Sequence, residues 1–365
     1  MSPRSRRDDK TVTQADVARH AGVSRAVVSY VINNGPRAVS EITRARVLRA
    51  IEELGYRPNK HAQGLKRQDE TRARGQIGLI LGGTSHILQR PYFSAMLAAF
   101  YQETHRRRQQ IRFVTFFDEL LDPVFFNQNL HPEQISGLVL FTPYMLRRDP
   151  AASALLRRII DRLDNIVCLE TVIADLPAVI FDRTAAASQI VSHLIGLGHT
   201  RIAFAGVADE RLDGYRQTMT LHGLATEPEL VIDNVVHNLP EEGYAAGRAL
   251  LALPNPPTAV FCVCDEMAVG MLAAFQDAGV SVPEEMALGA IDNIELAGLV
   301  RPTLTTVHVP IASVATYALR ILDMHAEYPD SQPASIVLPT RLVVRESCGA
   351  PPDLRQAYSG SSASR

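Results

Sequence analysis

The sequence predicts an all-α helix-turn-helix head joined to an α/β core of two doubly wound parallel-sheet lobes. Three observations predict it. Between residues 11 and 57, short amphipathic runs are punctuated by capping residues at helical spacing. From residue 76 onward, short apolar runs alternate with longer amphipathic ones, the signature of parallel sheets covered by helices. That second region holds some 274 residues, too many for one such sheet, so two lobes are expected. Residues 1–75 also carry 16 Lys and Arg against 8 Asp and Glu, whereas the rest carries 21 against 31. A small basic front on a large acidic body points to a polyanionic partner for the front alone.

Composition narrows the classes further. The chain has 365 residues, 46% apolar and 21% charged, as in a globular protein of two or three domains. No run of ~18 apolar residues predicts a membrane span. The opening "MSPRSRRDDK" is basic, but no apolar segment follows, so it does not read as a secretory signal. Four cysteines (168, 262, 264 and 348) are too sparse for a disulfide framework and suit a reducing cytoplasm. Cys262 and Cys264 alternate along "AVFCVC" and read as buried thiols. A metal site would need further ligands beside them, so neither metal nor cofactor is expected.

The elements follow in order. Residues 1–10 read as disordered. Thr13 is a helix N-cap with Asp16 as its capping-box partner, and that helix stops near Ala21-Gly22. Ser24 caps a second helix over about 25–33, "NNGPRAV" is a loop, and Ser40 caps a third, "EITRARVLRAIEELGY", with Gly55 at its end. The polar, basic stretch over 58–75 reads as a linker. In the core, "QIGLILGG", "IRFVTFF", "SGLVLF", "NIVCLE", "AVIFD", "RIAFAGV", "AVFCVC" and "MALGAID" read as strands. "TAAASQIVSHLIGLGH", "GYAAGRALLAL" and "DEMAVGMLAAFQDAG" read as helices. The core spans 76–349. Its first lobe takes about 76–172 and 310–330, its second about 178–305 and 335–349, with crossings near 172–177, 305–309 and 331–335. The tail over 350–365 is low in hydrophobicity and reads as mobile.

Two short helices around a Gly turn, closed by a third, form a helix-turn-helix unit. Val28, Val31 and Ile32 turn toward its core, which leaves Arg25, Ala26, Ser29 and Tyr30 outward, with Asn33 following. Short, hydrogen-bonding groups near a helix N-terminus can enter the ~12 Å major groove. Arg25 can bind guanine through two bonds, Tyr30 can reach a base or phosphate, and Ala26 offers a methyl contact. The N-terminal amides behind Thr13 and Ser24 can receive phosphates.

The stretch "TQADVARHAGVSRAVVSYVIN…VSEITRARVLRAIEELGYRPNKHAQGLKR" resembles the head of the lactose-repressor (LacI-type) family of bacterial transcription regulators. "HLIGLGHTRIAFAG", "RLDGYRQTM", "DEMAVGMLAAFQDAGVSVPEEMAL" and "RPTLTTVHVP" resemble that family's effector-binding core, so the likeness runs over roughly 11–349. It implies a periplasmic-binding-protein-like core, a homodimer and palindromic double-stranded operator DNA. It also implies that "PNKHAQGLKR" forms a hinge helix on DNA, with Leu65 wedged into the minor groove and Asn59, Ala62 and Gln63 beside it. Arg57 and Lys60 supply sequence-independent phosphate contacts. Gly64 and His61 depart from the family's better helix formers, and Gly64 costs roughly 1 kcal/mol of helix stability.

Two such lobes make a cleft at the strand C-termini, where open sheets take ligands. The resemblance implies that this cleft holds a small-molecule effector, a sugar or related metabolite. By matching position, Arg211 grips ligand oxygens, Asp292 accepts hydroxyl protons, Asp182 and Cys264 line the cleft, and Tyr92 and Phe93 in "RPYF" stack on a ring. Other readings stay open: Arg211 and Asp292 as a structural ion pair, Tyr92 and Phe93 as core aromatics. Two departures bear on the ligand. Cys264 stands where the family commonly has Asn, and Ile291-Asp292-Asn293 stands where it has aromatic-Asp-Asp.

Two other functional classes compete. A solute-binding protein of the same core fold would carry a secretory signal and no basic head. An enzyme with an appended DNA-binding head would need catalytic machinery, and no G-x-S-x-G or H-E-x-x-H occurs. His193, His199, His222 and His237 lack partner spacing. The chain therefore reads as a non-enzymatic regulator.

Overall fold

Local capping sets the head. In the computed structural model, which describes residues 12–33, 39–56, 75–83, 85–141, 150–173, 175–330 and 335–359, helix α1 spans Gln14–Ala21. Thr13 Oγ1 accepts the Asp16 N–H at 3.3 Å, and Asp16 Oδ2 accepts the Thr13 N–H at 2.9 Å. This reciprocal box satisfies two donors that a helix start leaves open. Gly22 ends α1 in the left-handed region (φ 63°), where a side chain would be strained. Helix α2 (Arg25–Asn33) starts at Ser24, whose hydroxyl accepts the Val27 N–H, and α3 (Glu41–Leu54) starts at Ser40 and ends at Gly55, φ 60°. Val17, Val28, Val31, Val47 and Ile51 meet in one core, with Ile32 packed at its edge. Each of these helices is too short to persist alone, so this shared core is what holds them.

The α/β region contains two six-stranded sheets. The strands are β1 (Gln76–Leu81), β2 (Gln110–Phe116), β3 (Gly137–Phe141), β4 (Ile166–Leu169), β5 (Ala178–Phe181), β6 (Ile202–Ala205), β7 (Val231–Ile232), β8 (Ala259–Cys262), β9 (Ala287–Asp292), β10 (Thr305–His308), β11 (Ile336–Leu338) and β12 (Arg341–Val343). The helices are α4 (Pro91–Arg106), α5 (Pro123–Asn129), α6 (Pro150–Arg162), α7 (Arg183–Gly196), α8 (Glu210–Leu221), α9 (Pro240–Leu251), α10 (Asp265–Asp277), α11 (Ile311–Glu327) and α12 (Pro352–Ser359). The first sheet has the order β11-β5-β4-β3-β1-β2 and the second β12-β10-β9-β8-β6-β7. The pairs β1–β2, β1–β3, β3–β4 and β4–β5 are parallel, as are β6–β7, β6–β8, β8–β9 and β9–β10, and only β10–β12 is seen antiparallel among these. Strands β1, β3 and β4 are buried almost throughout, as parallel strands covered on both faces must be.

The chain packs as two compact units. One draws on residues 1–87, 100–179 and 316–335, the other on 88–99, 180–315 and 336–365. In the first unit the head is anchored to α5. Val124 joins the head's core, Asn127 Nδ2 donates to the Ile51 carbonyl at 3.4 Å, and Arg158 of α6 pairs with Glu52 at 3.2 Å. In the second unit Phe204, Phe261 and Tyr215 stack with centroids 5.7 Å apart, and Tyr215 donates to the Ile202 carbonyl at 2.8 Å. Helices α9 and α10 meet backbone to backbone. A Cβ at Gly270 would fall 1.8 Å from the Pro240 carbonyl oxygen, and one at Gly243 2.1 Å from that of Met267. These two glycines bring the first turn of α10 into place.

Three expectations change. The strands β5 and β11, allotted to the second lobe, pair within the first sheet, although residues 180–315 and 336–365 pack in the second unit close to the expected bounds. Residues 305–309, taken as a crossing, hold β10, which lies between β9 and β12. Both follow from long-range pairing: "AVIF" and "TTVH" suit either sheet equally. The tail expected to be mobile forms α12 over Pro352–Ser359. Pro352 at its start tolerates the missing N–H, the helix packs against β12, and Arg355 Nε donates to the Ala350 carbonyl at 2.8 Å.

Candidate nucleic-acid interface and ligand site

The head presents one polar face. Arg25 and Ala26 are exposed on the first turn of α2, and Ser29 and Tyr30 are half-buried one turn on. Val28 and Val31 on the opposite face are buried and hold the helix by its back. Asn33 closes α2; its side chain lies outside the description. Arg25 Nε donates to Gln14 Oε1 at 3.4 Å, so the first residue of α1 lies beside the presented face. Gln14 was not among the sequence candidates; its position before an apolar helix carries no such signal. The two helix N-termini differ electrostatically. The Asp16 carboxylate already occupies the start of α1, and its hydrogen bonds from Thr13 hold it below its ordinary value. No acidic residue lies in the first turn of α2, so the amides behind Ser24 are the better seat for a phosphate. Arg57, Asn59, Lys60, Ala62, Gln63 and Leu65 lie outside the described residues.

A second cluster forms in the other unit, where β8 runs into α10 and β9 ends. Cys264 occupies the N-cap position of α10, so Asp265 and Glu266 enter at its first turn. Asp265 is fully buried. Its Oδ2 accepts the Ile294 N–H at 2.8 Å and its Oδ1 accepts the Thr306 hydroxyl at 2.5 Å. Burial pushes its carboxyl up to about 7 even against those two bonds. Glu266 Oε2 takes Arg90 Nε at 2.9 Å, while its Oε1 is buried with no hydrogen-bond partner among the described residues. Burial and the neighbouring carboxylates of Asp265 and Glu266 raise Asp292 well above the carboxylate range, against Arg211 and Arg90. Asp292 also has φ 122°, a conformation costing about 1–3 kcal/mol outside glycine that surroundings must impose.

The structure brings Arg211, Cys264 and Asp292 together. It does not pair Arg211 with Asp292. Arg211 instead grips Asp209 two residues away, with Nη2 to Oδ2 at 2.6 Å and Nε to Oδ1 at 3.0 Å, and its Nη1 donates to the Val263 carbonyl at 2.9 Å. Burial opposes charge on both partners. The pair overcomes it, holding the Asp209 carboxyl low and the Arg211 guanidinium high. Cys264 is buried, its Sγ lies 3.5 Å from the Asn238 carbonyl, and burial pushes its thiol up to about 12, so it stays neutral. Tyr92 and Phe93 are both buried and stack edge to face at 5.3 Å, and Arg90 lies 5.3 Å from the Phe93 ring. The rings are thus core-like, and the neighbouring Arg90 makes the charged reach. Asp182 does other work: exposed, it caps α7 by accepting the Ala185 N–H at 2.8 Å.

Sequence reasoning missed Arg90, Asp209, Asp265 and Glu266. Arg90 and the acidic pair stood in quoted motifs, but their partners lie 176 and 41 residues away and leave no local trace. All four cysteines are buried and free. Among the described residues no group of three His, Cys, Asp or Glu side chains is arranged to hold a metal ion, and no helix is long and apolar enough to cross a membrane.

Comparison with known proteins places these features. Residues 13–59 match the bacterial regulatory proteins of the lacI family, and residues 191–348 match a periplasmic binding protein-like domain. Catabolite control protein A of Priestia megaterium is 30% identical over 358 residues, covering 92% of this chain and 99% of its own. The HTH-type transcriptional regulator GalR of Escherichia coli (strain K12) is 32% identical over 353 residues, 93% and 96% of the two chains. The ribose operon repressor of Haemophilus influenzae is 30% identical over 344 residues, 92% and 98%. Among solved structures, a transcriptional regulator CelR–cellobiose complex aligns with TM-score 0.65 at 27% identity, over 92% of this chain and 99% of that one. A lac repressor dimer bound to operator and the anti-inducer ONPF shares the fold, with TM-score 0.63 at 24% identity over 93% and 100%.

Proposed function

The chain belongs to the lacI family of bacterial regulatory proteins, and from that premise we propose that it is a transcriptional repressor that binds a palindromic operator as a homodimer under the control of a small polar metabolite. The observation that carries the reading is the presented turn of α2, with Arg25 and Ala26 exposed and no acidic residue to repel a phosphate. Arg25 reads a guanine edge, Ala26 and Ser29 touch neighbouring bases, and Tyr30 and Asn33 extend the contact. Thr13 and Ser24 direct helix N-termini at the backbone. Arg57 and Lys60 take phosphates, and Leu65, flanked by Asn59, Ala62 and Gln63, wedges open the minor groove at the operator's centre.

The effector is a sugar or related metabolite bound at the Arg211, Cys264 and Asp292 cluster, whereas Asp182 serves as the cap of α7 and Tyr92 and Phe93 as packing beside Arg90. The names of two relatives support the class: a ribose operon repressor and a regulator solved with cellobiose. The protein works in the cytoplasm, where its DNA is, and performs no catalysis. An effector changes operator affinity only through unequal affinity for two arrangements of the chain, and operator changes effector affinity by the same factor. Selection of bound fragments from the source genome tests the reading. It should enrich inverted repeats that compete against scrambled duplex at modest salt. Uniform recovery of all fragments, with no preference for any inverted repeat, would overturn it.

A further inference from the structure

We propose that Gln14 is a positioning residue for operator reading: Tyr56 holds one end of its amide, and the other end holds the Arg25 guanidinium with its outer fork free for a guanine edge. This deepens the reading of Arg25 as a base contact and rests on it. Gln14 opens α1 and Arg25 opens α2, so they meet only when the head folds. Gln14 Oε1 accepts Arg25 Nε at 3.4 Å, long enough to orient the group without locking it. Tyr56 follows the end of α3. Its N–H donates to the Ile51 carbonyl at 3.0 Å, and the residue is buried in the shared core. Burial raises the Tyr56 hydroxyl, while a hydrogen bond with Gln14 and then the charge of Arg25 pull it down. A bond that favours the ionised phenol is one that Gln14 donates. An amide has an acceptor end and a donor end. Both are used here, the oxygen by Arg25 and the nitrogen by Tyr56, and this fixes which way the amide faces.

A guanidinium carries five N–H donors in a fixed plane. Nε is spent on Gln14, and among the described residues no hydrogen bond or ion pair takes Nη1 or Nη2. That outer fork matches the N7 and O6 acceptors of guanine. Charge makes a neutral amide the fitting holder. No acidic residue lies in the first turn of α2, and the Asp16 carboxylate turns to Thr13 and Arg19 instead. A carboxylate on Arg25 would offset its charge and repel the phosphates alongside. A neutral oxygen orients the group and leaves that charge for DNA. Arg25 is exposed and its side chain has many rotamers, so an untethered fork would enter the groove in many orientations. Ordering it beforehand lowers the entropy that binding must offset, and favours the base that matches the fixed fork.

The test uses the full chain and synthetic duplexes in which the inverted repeat recovered by genome selection is varied one base pair at a time. Gel shift ranks the duplexes, and hydrogen exchange of α1 and α2 reports folding of the head. Arg25→Ala first identifies the base pair that Arg25 reads. Gln14→Met, similar in shape but without the amide, should weaken discrimination at that base pair about two- to tenfold, the scale of one net hydrogen bond, and leave the others unchanged. Added to Arg25→Ala, it should change nothing further there. Gln14→Glu keeps an acceptor for Nε and should retain the discrimination while binding all duplexes more weakly. Tyr56→Phe keeps the ring, removes the hydroxyl and should show a smaller loss at the same base pair. Uniform weakening by folded Gln14→Met, a changed preference at a different base pair, or an equal loss in Gln14→Glu overturns the positioning role while Arg25 keeps its own. Unchanged discrimination in Tyr56→Phe overturns the tether, and decides alone if the head of Gln14→Met does not fold. Equal loss for Arg25→Ala on every duplex removes the base reading beneath the inference, and recovery of no inverted repeat removes the regulator reading as well.

Discussion

Removing Asp209 should destabilise the second unit more than any surface substitution, because it strands a buried guanidinium. The side chains of Arg211 and Asp209 are 11% and 22% exposed. Breaking a buried ion pair by deleting one member costs about 3–5 kcal/mol, since the other charge is left uncompensated. Asp209 has a second role, because its Oδ1 accepts the Arg211 N–H at 3.0 Å and so caps α8. Loss of that cap adds about 1 kcal/mol. Asp209→Ala should therefore cost about 4–6 kcal/mol. Asp209→Ser keeps a capping oxygen and should cost about 3–5 kcal/mol. For a unit of this size each kcal/mol moves the midpoint by about 2–4 °C, so melting should fall by roughly 8–24 °C for Asp209→Ala and 6–20 °C for Asp209→Ser. The double variant Asp209→Ser with Arg211→Met should recover most of the loss, because an apolar side chain leaves no charge to strand. Urea titration of the four proteins at pH 7 measures this. A loss under about 1 kcal/mol for Asp209→Ser, with no recovery in the double variant, would refute the argument that burial makes the pair indispensable.

Stability should also depend on pH through the buried carboxylates. Asp265 and Asp292 titrate higher in the folded chain than the ordinary value near 4, so between about 4 and 7 the folded state holds protons that the unfolded state has lost. Their contribution falls as pH rises through that window. His193, His199 and His308, lowered by burial, act in the opposite direction up to about 6.5, so the difference between the natural chain and Asp292→Asn isolates the effect. Asp292→Asn should gain stability relative to the natural chain as pH rises from 5 to 8, and a constant difference in urea midpoints would contradict this. Arg25→Ala should relax base preference at one operator position by about 1–3 kcal/mol, whereas Arg57→Ala and Lys60→Ala should weaken all sequences alike. Equal loss for Arg25→Ala on every operator variant, in a gel-shift series, would remove its base-reading role. Gly22→Ala meets no atom within 4 Å, so its cost is conformational alone, about 1–2 kcal/mol in head stability, and hydrogen exchange of α1 and α2 should report it.

What the sequence determined by itself was whatever depends on neighbours a few residues apart. The Thr13–Asp16 box, the Ser24 and Ser40 caps and the left-handed Gly22 and Gly55 are local hydrogen-bond and dihedral choices, so the three head helices were legible to within a residue. Eight strands were legible for a similar reason, as short, largely apolar runs bounded by turn residues, with β2 alternating between polar and apolar residues. Which sheet received β5, β10 and β11 was not, because pairing is a contest among distant backbones that leaves no periodic mark on the strand itself. The ligand site divided along the same line. The motifs holding Arg211, Cys264 and Asp292 could be read, but only the fold could show that Arg211 turns to Asp209, that Arg90 reaches Glu266 across 176 residues, and that Asp292 alone is left with no partner among the described residues. Charge matching in a buried site is decided by three-dimensional proximity, and proximity between remote segments is what tertiary structure supplies.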